Sequence, residues 1–220
     1  MTAGDFCRAL GMDVSESFTD GVMQVSCDSL SFQVMPDSMY FTCNDRYLMA
    51  QEGGVREQNG QLLLPVEALA MCLGVPASWD RVGWSVDITA DVIRPLENGD
   101  SFYDPTDLYW LSRVIYAEAG TQSLLGQVAV GSVVLNRLAD QGEFGSQSTI
   151  YDVIFAKNQF EVVTNGMIYM EPDDTATVAA KLALEGYDVV DGAMYFATFD
   201  FGEGYQCVMW IEDHCFMNEA

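Results

Sequence analysis

The residue best suited to acid–base chemistry is Glu118, which lies among apolar and small residues in the segment 114–120. Its place at the end of a predicted helix adds the negative partial charge of the helix C-terminus. This charge and desolvation both disfavour the carboxylate, so we expect a raised pKa, as a general acid near neutral pH requires. Most helix glutamates are ordinary surface residues, and local features alone favour that interpretation.

The elements that must position Glu118 are helices. Thr106 is expected to cap the helix that starts at Asp107 and ends near Glu118, and Ser123 to cap a second helix that runs through Leu138. Two more helices and two strand-like pieces are predicted at 149–156, 174–185, 193–197 and 208–211.

The first half of the chain is predicted to be mainly β-structure with one or two short helices. Stretches that alternate with period two lie at 23–27, 38–42 and 84–88. Proline, asparagine and glycine then predict a linker at 93–104. The predicted fold class is therefore α+β, with a small mainly-β domain at 1–92 and a helix-rich domain with a small sheet at 105–220.

A short pattern occurs twice in the first domain. The segment 6–12 resembles 70–75, and in both cases a turn and an alternating strand follow a Leu-Gly pair. We expect an internal repeat of helix, turn and strand.

The charge of the chain excludes several classes of partner. The 220 residues carry a formal net charge of −24, from 9 basic and 33 acidic residues. Such a surface repels phosphate backbones and anionic membranes, so no nucleic-acid partner is expected. No apolar run reaches the roughly 18 residues of a membrane span. The chain begins inside a predicted helix, so we expect that a leader has been removed.

Cysteine and histidine spacing does not favour a metal site. The six cysteines form no Cys-x-x-Cys pair, and the single histidine, His214, is interpreted as a packed, hydrogen-bonded structural residue. We expect no metal and no cofactor. The cysteines could form disulfides in a secreted protein, with Cys207–Cys215 the favoured local pair, or remain free buried thiols.

The longest motifs of the second half are LSRVIYAEA at 111–119 and GQVAVGSVVLNR at 126–137. Together with shorter motifs they make residues 105–220 resemble the catalytic domain of the spore cortex-lytic enzymes and related cell-wall hydrolases. The shorter motifs are IYDVI at 150–154, NQF at 158–160, AAKLALEG at 179–186, GAMYF at 192–196, Trp210 and HCF at 214–216. The resemblance implies a lysozyme-like catalytic domain, with Glu118 at the position of the family's catalytic glutamate.

The resemblance also implies a reaction. Such enzymes cleave the β-1,4 bond between N-acetylmuramic acid and N-acetylglucosamine in peptidoglycan as lytic transglycosylases. The C6 hydroxyl of the muramoyl residue is the nucleophile, so one carboxyl group, that of Glu118, is sufficient. A hydrolase would need a second acid about 6.5–9.5 Å away, for which Asp152 and Glu161 are the candidates.

Five residues are candidates for substrate binding, namely Gln122, Gln159, Phe160, Tyr195 and Trp210. The aromatic rings could stack on sugars or belong to the core. Asn136 and Arg137 are expected to have structural roles.

Two positions depart from the family pattern. Gln122 stands where many relatives carry a second glutamate, and Glu212-Asp213 stands where Gly-Asn is usual. These departures leave open an alternative, a non-catalytic cell-wall-binding protein with a decayed active site.

The segment LLPVEALA at 63–70, with Leu73-Gly74 and Trp79-Asp80, resembles the copper amine oxidase N-terminal-like repeat domain. The resemblance implies an accessory domain over 1–92 that associates with the cell wall, and no histidine lies there to bind copper. The two resemblances together imply a secreted or cell-wall or spore-cortex associated protein whose partner is the glycan strand of peptidoglycan. Cortex and vegetative wall remain open as substrates.

Overall fold

The computed structural model describes residues 1–50, 54–80, 83, 85–88 and 93–220. These residues form two compact units, Met1–Phe102 and Tyr103–Ala220. Unit 1 is rich in β-strands, and unit 2 is helical with a small sheet. The predicted α+β class is confirmed.

Unit 1 is built on an antiparallel sheet in the order β1-β2-β3-β4-β5, with two further two-stranded pairs, β6-β7 and β8-β9. Its elements are α1 (Ala3–Ala9), β1 (Val14–Thr19), β2 (Val22–Cys27), β3 (Leu30–Val34), β4 (Tyr40–Cys43), β5 (Arg46–Met49), β6 (Arg56–Gln58), β7 (Gln61–Leu63), α2 (Val66–Cys72), β8 (Ala77–Asp80), β9 (Ser85–Ile88) and α3 (Gly99–Phe102). The strands predicted at 23–27 and 38–42 correspond to β2 and β4. The strand predicted at 84–88 corresponds to β9, except that Trp84 lies outside the described residues.

The two short helices of unit 1 end in the same way. Gly11 and Gly74 follow α1 and α2 with positive φ angles of 79° and 60°, the left-handed conformation that ends many helices. Met12 N donates to Cys7 O, and Val75 N donates to the equivalent Ala70 O, both at 3.1 Å. A strand follows each glycine, which supports the predicted repeat. Helix α1 starts after its cap Thr2, so the expectation that the chain begins inside a helix was wrong.

The segment predicted as a linker makes backbone hydrogen bonds within unit 1. Arg94 N donates to Leu73 O at 2.8 Å, and Leu96 N donates to Cys72 O at 2.9 Å. The α3 turn then ends unit 1 at Phe102. Cys7 and Cys27 form a disulfide, whereas Cys43 and Cys72 are free and buried, so both alternatives for the cysteines occur here.

Unit 2 packs its helices beside an antiparallel sheet in the order β10-β12-β11. Its elements are α4 (Pro105–Ala119), α5 (Leu124–Ala139), α6 (Ile150–Phe155), α7 (Glu161–Thr164), the 3₁₀ helix Met167–Tyr169, α8 (Asp174–Leu184), β10 (Tyr195–Ala197), β11 (Tyr205–Ile211) and β12 (His214–Glu219). Strand β12 was not predicted, because its first four residues are all buried and show no alternation.

The helix caps of unit 2 agree in part with the sequence. Ser123 caps α5 by accepting a hydrogen bond from Gly126 N, as predicted. The prediction that Thr106 caps the first helix was wrong. Asp104 is the cap, since its carboxylate accepts from the backbone N–H groups of Thr106 and Asp107 at 2.8 and 3.1 Å. Pro105 then occupies the first helical position, where its missing N–H costs nothing.

Close packing of α5 against α4 and α8 depends on Gly131. A Cβ atom at this position would lie 2.9 Å from Cβ of Ala183 and 3.0 Å from Cδ1 of Ile115. All three residues are in the buried interior of unit 2. The absence of a side chain therefore sets how closely these helices approach, and with it the position of α4.

We expect Gly131→Leu to destabilise unit 2 by about 1–3 kcal/mol, because the new side chain would overpack this contact. The free energy of unfolding in urea measures the effect. Ala139→Leu is the matched control, since Ala139 is exposed at the end of the same helix. Equal stability of the two variants would contradict the role given to Gly131.

Candidate functional site

Glu118 is half-buried in the last turn of α4, at an open cleft of about 230 Å³. The other residues that line this cleft are Tyr116, Ala117, Gly120, Thr121, Met167 and Met170. The cleft is therefore formed by the end of α4, the turn after it and the segment around the 3₁₀ helix.

The environment of Glu118 favours its protonated form. Burial raises the pKa of this carboxyl, and the nearby negative charge of Glu161 raises it further. The positive charge of Arg137 acts in the opposite direction and limits the rise. A raised pKa was expected from the sequence, but Glu161 and Arg137 approach Glu118 only through the fold. Such a group holds its proton to a higher pH than an exposed carboxyl does, and a general acid that protonates a leaving oxygen needs this property.

Arg137, on α5, is a buried cation beside this site, with only 5% of its surface exposed. Its Nε donates to Met194 O at 2.7 Å, and its guanidinium lies 5.0 Å from the ring centre of Phe160 and 5.1 Å from that of Phe144. Its Nη1 has no hydrogen-bond partner among the described residues. Burial lowers the pKa of Arg137 to about 10, so it remains charged at neutral pH.

Tyr195 completes the surroundings of Arg137. Its ring centre is 5.8 Å from the guanidinium, and its hydroxyl donates to the carboxylate of Glu143. Burial, and then the bond to Glu143, raise the pKa of Tyr195. Two predicted substrate-binding residues, Phe160 and Tyr195, therefore lie together at Arg137. Arg137 was expected to have a structural role. The local feature of the sequence that could have indicated a role at the site is the presence of a cation in a mostly apolar helix.

The two candidates for a second carboxylate have different environments. Asp152 accepts hydrogen bonds from Ser148 N and Oγ, while its own N–H donates to Thr149 Oγ1 at 3.1 Å. Hydrogen bonds from Thr149 and Ser148 lower the pKa of Asp152, which is the pattern of a helix-capping residue. Glu161 is exposed at the first position of α7 and acts electrostatically on Glu118. Glu161 is therefore the better candidate.

Gln122 is held by the turn between β11 and β12. Its Nε2 donates to the Asp213 carboxylate at 3.2 Å, and its Oε1 accepts from Asp213 N at 3.5 Å. In the same turn, the Glu212 carboxylate accepts from Ser123 N at 2.8 Å at the start of α5. The two departures from the family pattern thus contact each other, and together they fix the loop that follows Glu118.

The remaining candidates lie apart from the cleft of Glu118. Gln159 is half-buried beside Phe160 in sequence, and its N–H donates to Ala156 O at 3.2 Å. Trp210 lies on β11 with 54% of its surface exposed. Neither residue lines the cleft.

His214 is buried at the start of β12, where its ring packs on Phe196 and Phe216 at 5.4 and 6.2 Å. Burial lowers the pKa of this histidine. Cys215 forms a disulfide with Cys207, the pair favoured from the sequence. The ring of His214 is packed as predicted, but its Nδ1 has no hydrogen-bond partner among the described residues, so the predicted hydrogen bonding is not seen at that atom.

Metal ligands and membrane helices were searched over the described part of the chain. No group of three or more His, Cys, Asp or Glu side chains there could hold a metal ion. Within the same residues, no helix is long and apolar enough to cross a membrane.

Residues 121–217 match the Cell Wall Hydrolase family. Spore cortex-lytic enzymes are similar. The one from Halalkalibacterium halodurans is 38% identical over 104 residues, covering 47% of this chain and 31% of the relative. The one from Bacillus cereus is 34% identical over 94 residues, covering 43% and 35%. The cell wall hydrolase CwlJ of Bacillus subtilis is 32% identical over 81 residues, covering 36% and 57%.

Two solved structures are also similar. The catalytic domain of the Bacillus cereus SleB protein is 31% identical, with 53% of this chain and 92% of that chain covered and a TM-score of 0.46. The catalytic domain of the germination-specific lytic transglycosylase SleB from Bacillus anthracis is 30% identical, with 56% and 100% covered and a TM-score of 0.47.

The match to the Cell Wall Hydrolase family therefore lies within unit 2. The chain spans about a third of the length of the spore cortex-lytic enzymes it matches, 31% to 35% for the two described. Glu118 lies just before the range 121–217 that matches the family, so the assignment of its role depends on its own surroundings.

We expect the stability of Glu118→Gln, measured relative to that of the wild-type protein, to increase as the pH rises. The folded-state pKa of Glu118 is raised, so its contribution to stability is complete below the unfolded-state pKa and is lost as the pH rises through the folded-state pKa. Glutamine does not titrate. Melting temperatures measured from about pH 4 to about pH 8 should show a widening difference in favour of the variant. A difference that narrows or reverses would contradict the raised pKa.

Proposed function

We propose that unit 2 cleaves the β-1,4 bond between N-acetylmuramic acid and N-acetylglucosamine in peptidoglycan, with Glu118 as the catalytic acid and base. The observation that carries the proposal is a half-buried carboxyl of raised pKa at an open cleft of a cell wall hydrolase domain. The relatives' name, spore cortex-lytic enzyme, points to the same class of substrate.

The reaction that we favour is transglycosylation. Protonated Glu118 donates its proton to the glycosidic oxygen as the bond from this oxygen to C1 of the muramoyl residue breaks. The C6 hydroxyl of the same residue then bonds to C1 and gives its proton to the Glu118 carboxylate. The products are a free N-acetylglucosamine hydroxyl and a 1,6-anhydro end, without water uptake. The nucleophile is already attached to the substrate, so no second carboxylate has to activate it.

The charges of Arg137 and Glu161 act in opposite directions on the pKa of Glu118, and each favours one of the two protonation states in the cycle. After proton donation Glu118 is an anion in a half-buried place, and the cation of Arg137 stabilises that state. Before donation, burial and the charge of Glu161 keep the proton in place. We assign Arg137 as a positioning residue that acts through Glu118.

A second reaction, hydrolysis, is supported by one observation. Glu161 is exposed and lies close enough to Glu118 to influence its ionisation, so it could activate a water molecule. The two reactions differ in their products, because an anhydro end is lighter than a hydrolysed end by one water molecule.

For unit 1 we propose an accessory role in cell-wall association, which rests on the resemblance of its repeat. The protein would then work outside the cell, in the wall or the spore cortex. Co-sedimentation of the inactive full chain with purified wall, compared with unit 2 alone, would test this proposal.

We expect Glu118→Gln to reduce release of fragments from purified peptidoglycan by at least about a hundredfold, because glutamine cannot donate the proton. Mass spectrometry of the wild-type products on cortex and on vegetative wall distinguishes anhydro from hydrolysed ends. Circular dichroism and the melting temperature control for folding. Full turnover by a folded Glu118→Gln protein would contradict the assignment. Wall binding without turnover by the wild type would instead support the non-catalytic alternative.

We expect substitutions at the two charged neighbours to shift the alkaline limb of the kcat/KM profile in opposite directions. Glu161→Gln removes a charge that raises the pKa of Glu118, so activity should be lost at lower pH. Arg137→Met removes a charge that lowers it, so the limb should move to higher pH. Arg137→Lys keeps the charge and should stay closer to the wild type. If Glu161→Gln and Arg137→Met shift the alkaline limb in the same direction, the opposing roles given to the two charges are contradicted.

A further inference from the structure

A cluster of five aromatic side chains lies on unit 2 away from its sheet, and we call it the aromatic face. Trp110 on α4 is its centre. The distances from the Trp110 ring to the other four ring centres are 4.9 Å to Tyr109, 5.0 Å to Phe155, 5.4 Å to Tyr151 and 6.4 Å to Tyr169. Tyr151 and Phe155, on α6, stack on each other at 4.2 Å.

The aromatic face is exposed to a degree unusual for rings that contact one another. The exposed fractions are 45% for Tyr109, 44% for Tyr151 and 65% for Tyr169. Rings that belong to a hydrophobic core are covered, and isolated surface rings do not contact one another. The rings of the aromatic face fit neither description, because they are in contact and also exposed. The cluster is therefore held together but left open, as a binding surface is.

The 3₁₀ helix Met167–Tyr169 connects the aromatic face to the cleft of Glu118. Met167 and Met170 line that cleft, while Tyr169 between them contacts Trp110. Helix α4 makes a second connection, since it carries both Trp110 and Glu118. Eight residues of helix separate them by about 12 Å along the axis. A ligand that spans both places must extend over more than one sugar ring.

We propose that the aromatic face is a subsite for the glycan strand, which it binds on one side of the bond placed at Glu118. This inference rests on the proposed function and adds to it a preference for long strands. The pyranose rings of both sugars present apolar C–H faces, which suit exposed aromatic rings, while tyrosine hydroxyls can bond the sugars' polar groups.

The charge of the chain argues against an anionic occupant. With a net charge of −24, the protein repels an anionic membrane surface or a phosphorylated partner, whereas the N-acetylglucosamine rings of a glycan strand carry no charge. Continuity with the cleft of Glu118 favours the strand over a second copy of the chain.

The test compares long, peptide-free glycan strands with the N-acetylmuramic acid–N-acetylglucosamine disaccharide. Tyr169→Ala and Tyr151→Ala should each raise KM for long strands about threefold to tenfold, the loss expected for one stacked ring, with little change in kcat. The disaccharide, which places a single ring on each side of the bond, does not reach the face and should be cleaved as by the wild type. Tyr169→Phe and Tyr151→Phe keep the ring and should restore most of the affinity. Phe18→Ala, at a ring 59% exposed in unit 1, is the matched control.

Binding of the same strands to Glu118→Gln, followed by tryptophan fluorescence, keeps the two proposals distinguishable. If the wild type cleaves nothing, the proposed function fails, while weaker strand binding in the Tyr169→Ala and Tyr151→Ala backgrounds still supports the subsite. Unchanged binding in both backgrounds, or an equal loss in Phe18→Ala, would overturn the subsite. If light scattering shows that Tyr169→Ala or Tyr151→Ala has a different oligomeric state from the wild type, the subsite is also overturned. The aromatic face would then be assigned to contacts between copies of the chain.

Discussion

The candidate site depends on how the buried cation Arg137 is accommodated. Removing a guanidinium from water is costly unless the surroundings compensate, and here one backbone carbonyl and three aromatic rings do so. Those partners come from β10, the residue before it, and the loops around α6 and α7. Folding unit 2 around Arg137 therefore also fixes the start of β10 and the loops that carry Phe144 and Phe160. The carboxyl of Glu118 then lies between a cation that favours its charged form and an acidic neighbour that opposes it.

How much of this could be read from the sequence differs from residue to residue. The raised pKa of Glu118 was predictable because its largest cause, burial among apolar neighbours, is partly local. The Ser123 cap was predictable for the same reason. Asp104 was missed because an acceptable cap, Thr106, stood two residues later, and only the backbone geometry decides between them. Strand β12 was missed because a strand buried on both faces has no alternation to detect.

The contacts of Arg137 and Gln122 could not be predicted, since each joins distant parts of the chain. Gln122 meets Asp213 across 91 residues of sequence. Seen alone, Gln122 looks like the loss of a family carboxylate. In the structure, Gln122 bonds to Asp213, and Glu212 bonds to Ser123, so these residues together hold the loop after α4 in place. The departure is therefore a weaker argument for a decayed site than the sequence suggested. Of the two family resemblances, the one for unit 2 is supported by the match over residues 121–217.

The two methionines at the cleft have a consequence for the chemical durability of the protein. Met167 and Met170 are 41% and 46% exposed, so small oxidants in the surrounding medium can reach their sulfur atoms. Oxidation to the sulfoxide would replace a flexible apolar wall beside Glu118 with a polar one. It would also alter both ends of the short 3₁₀ helix that carries Tyr169. Peroxide exposure would then change the cleft without touching its carboxyl, and repair of these two side chains would restore it.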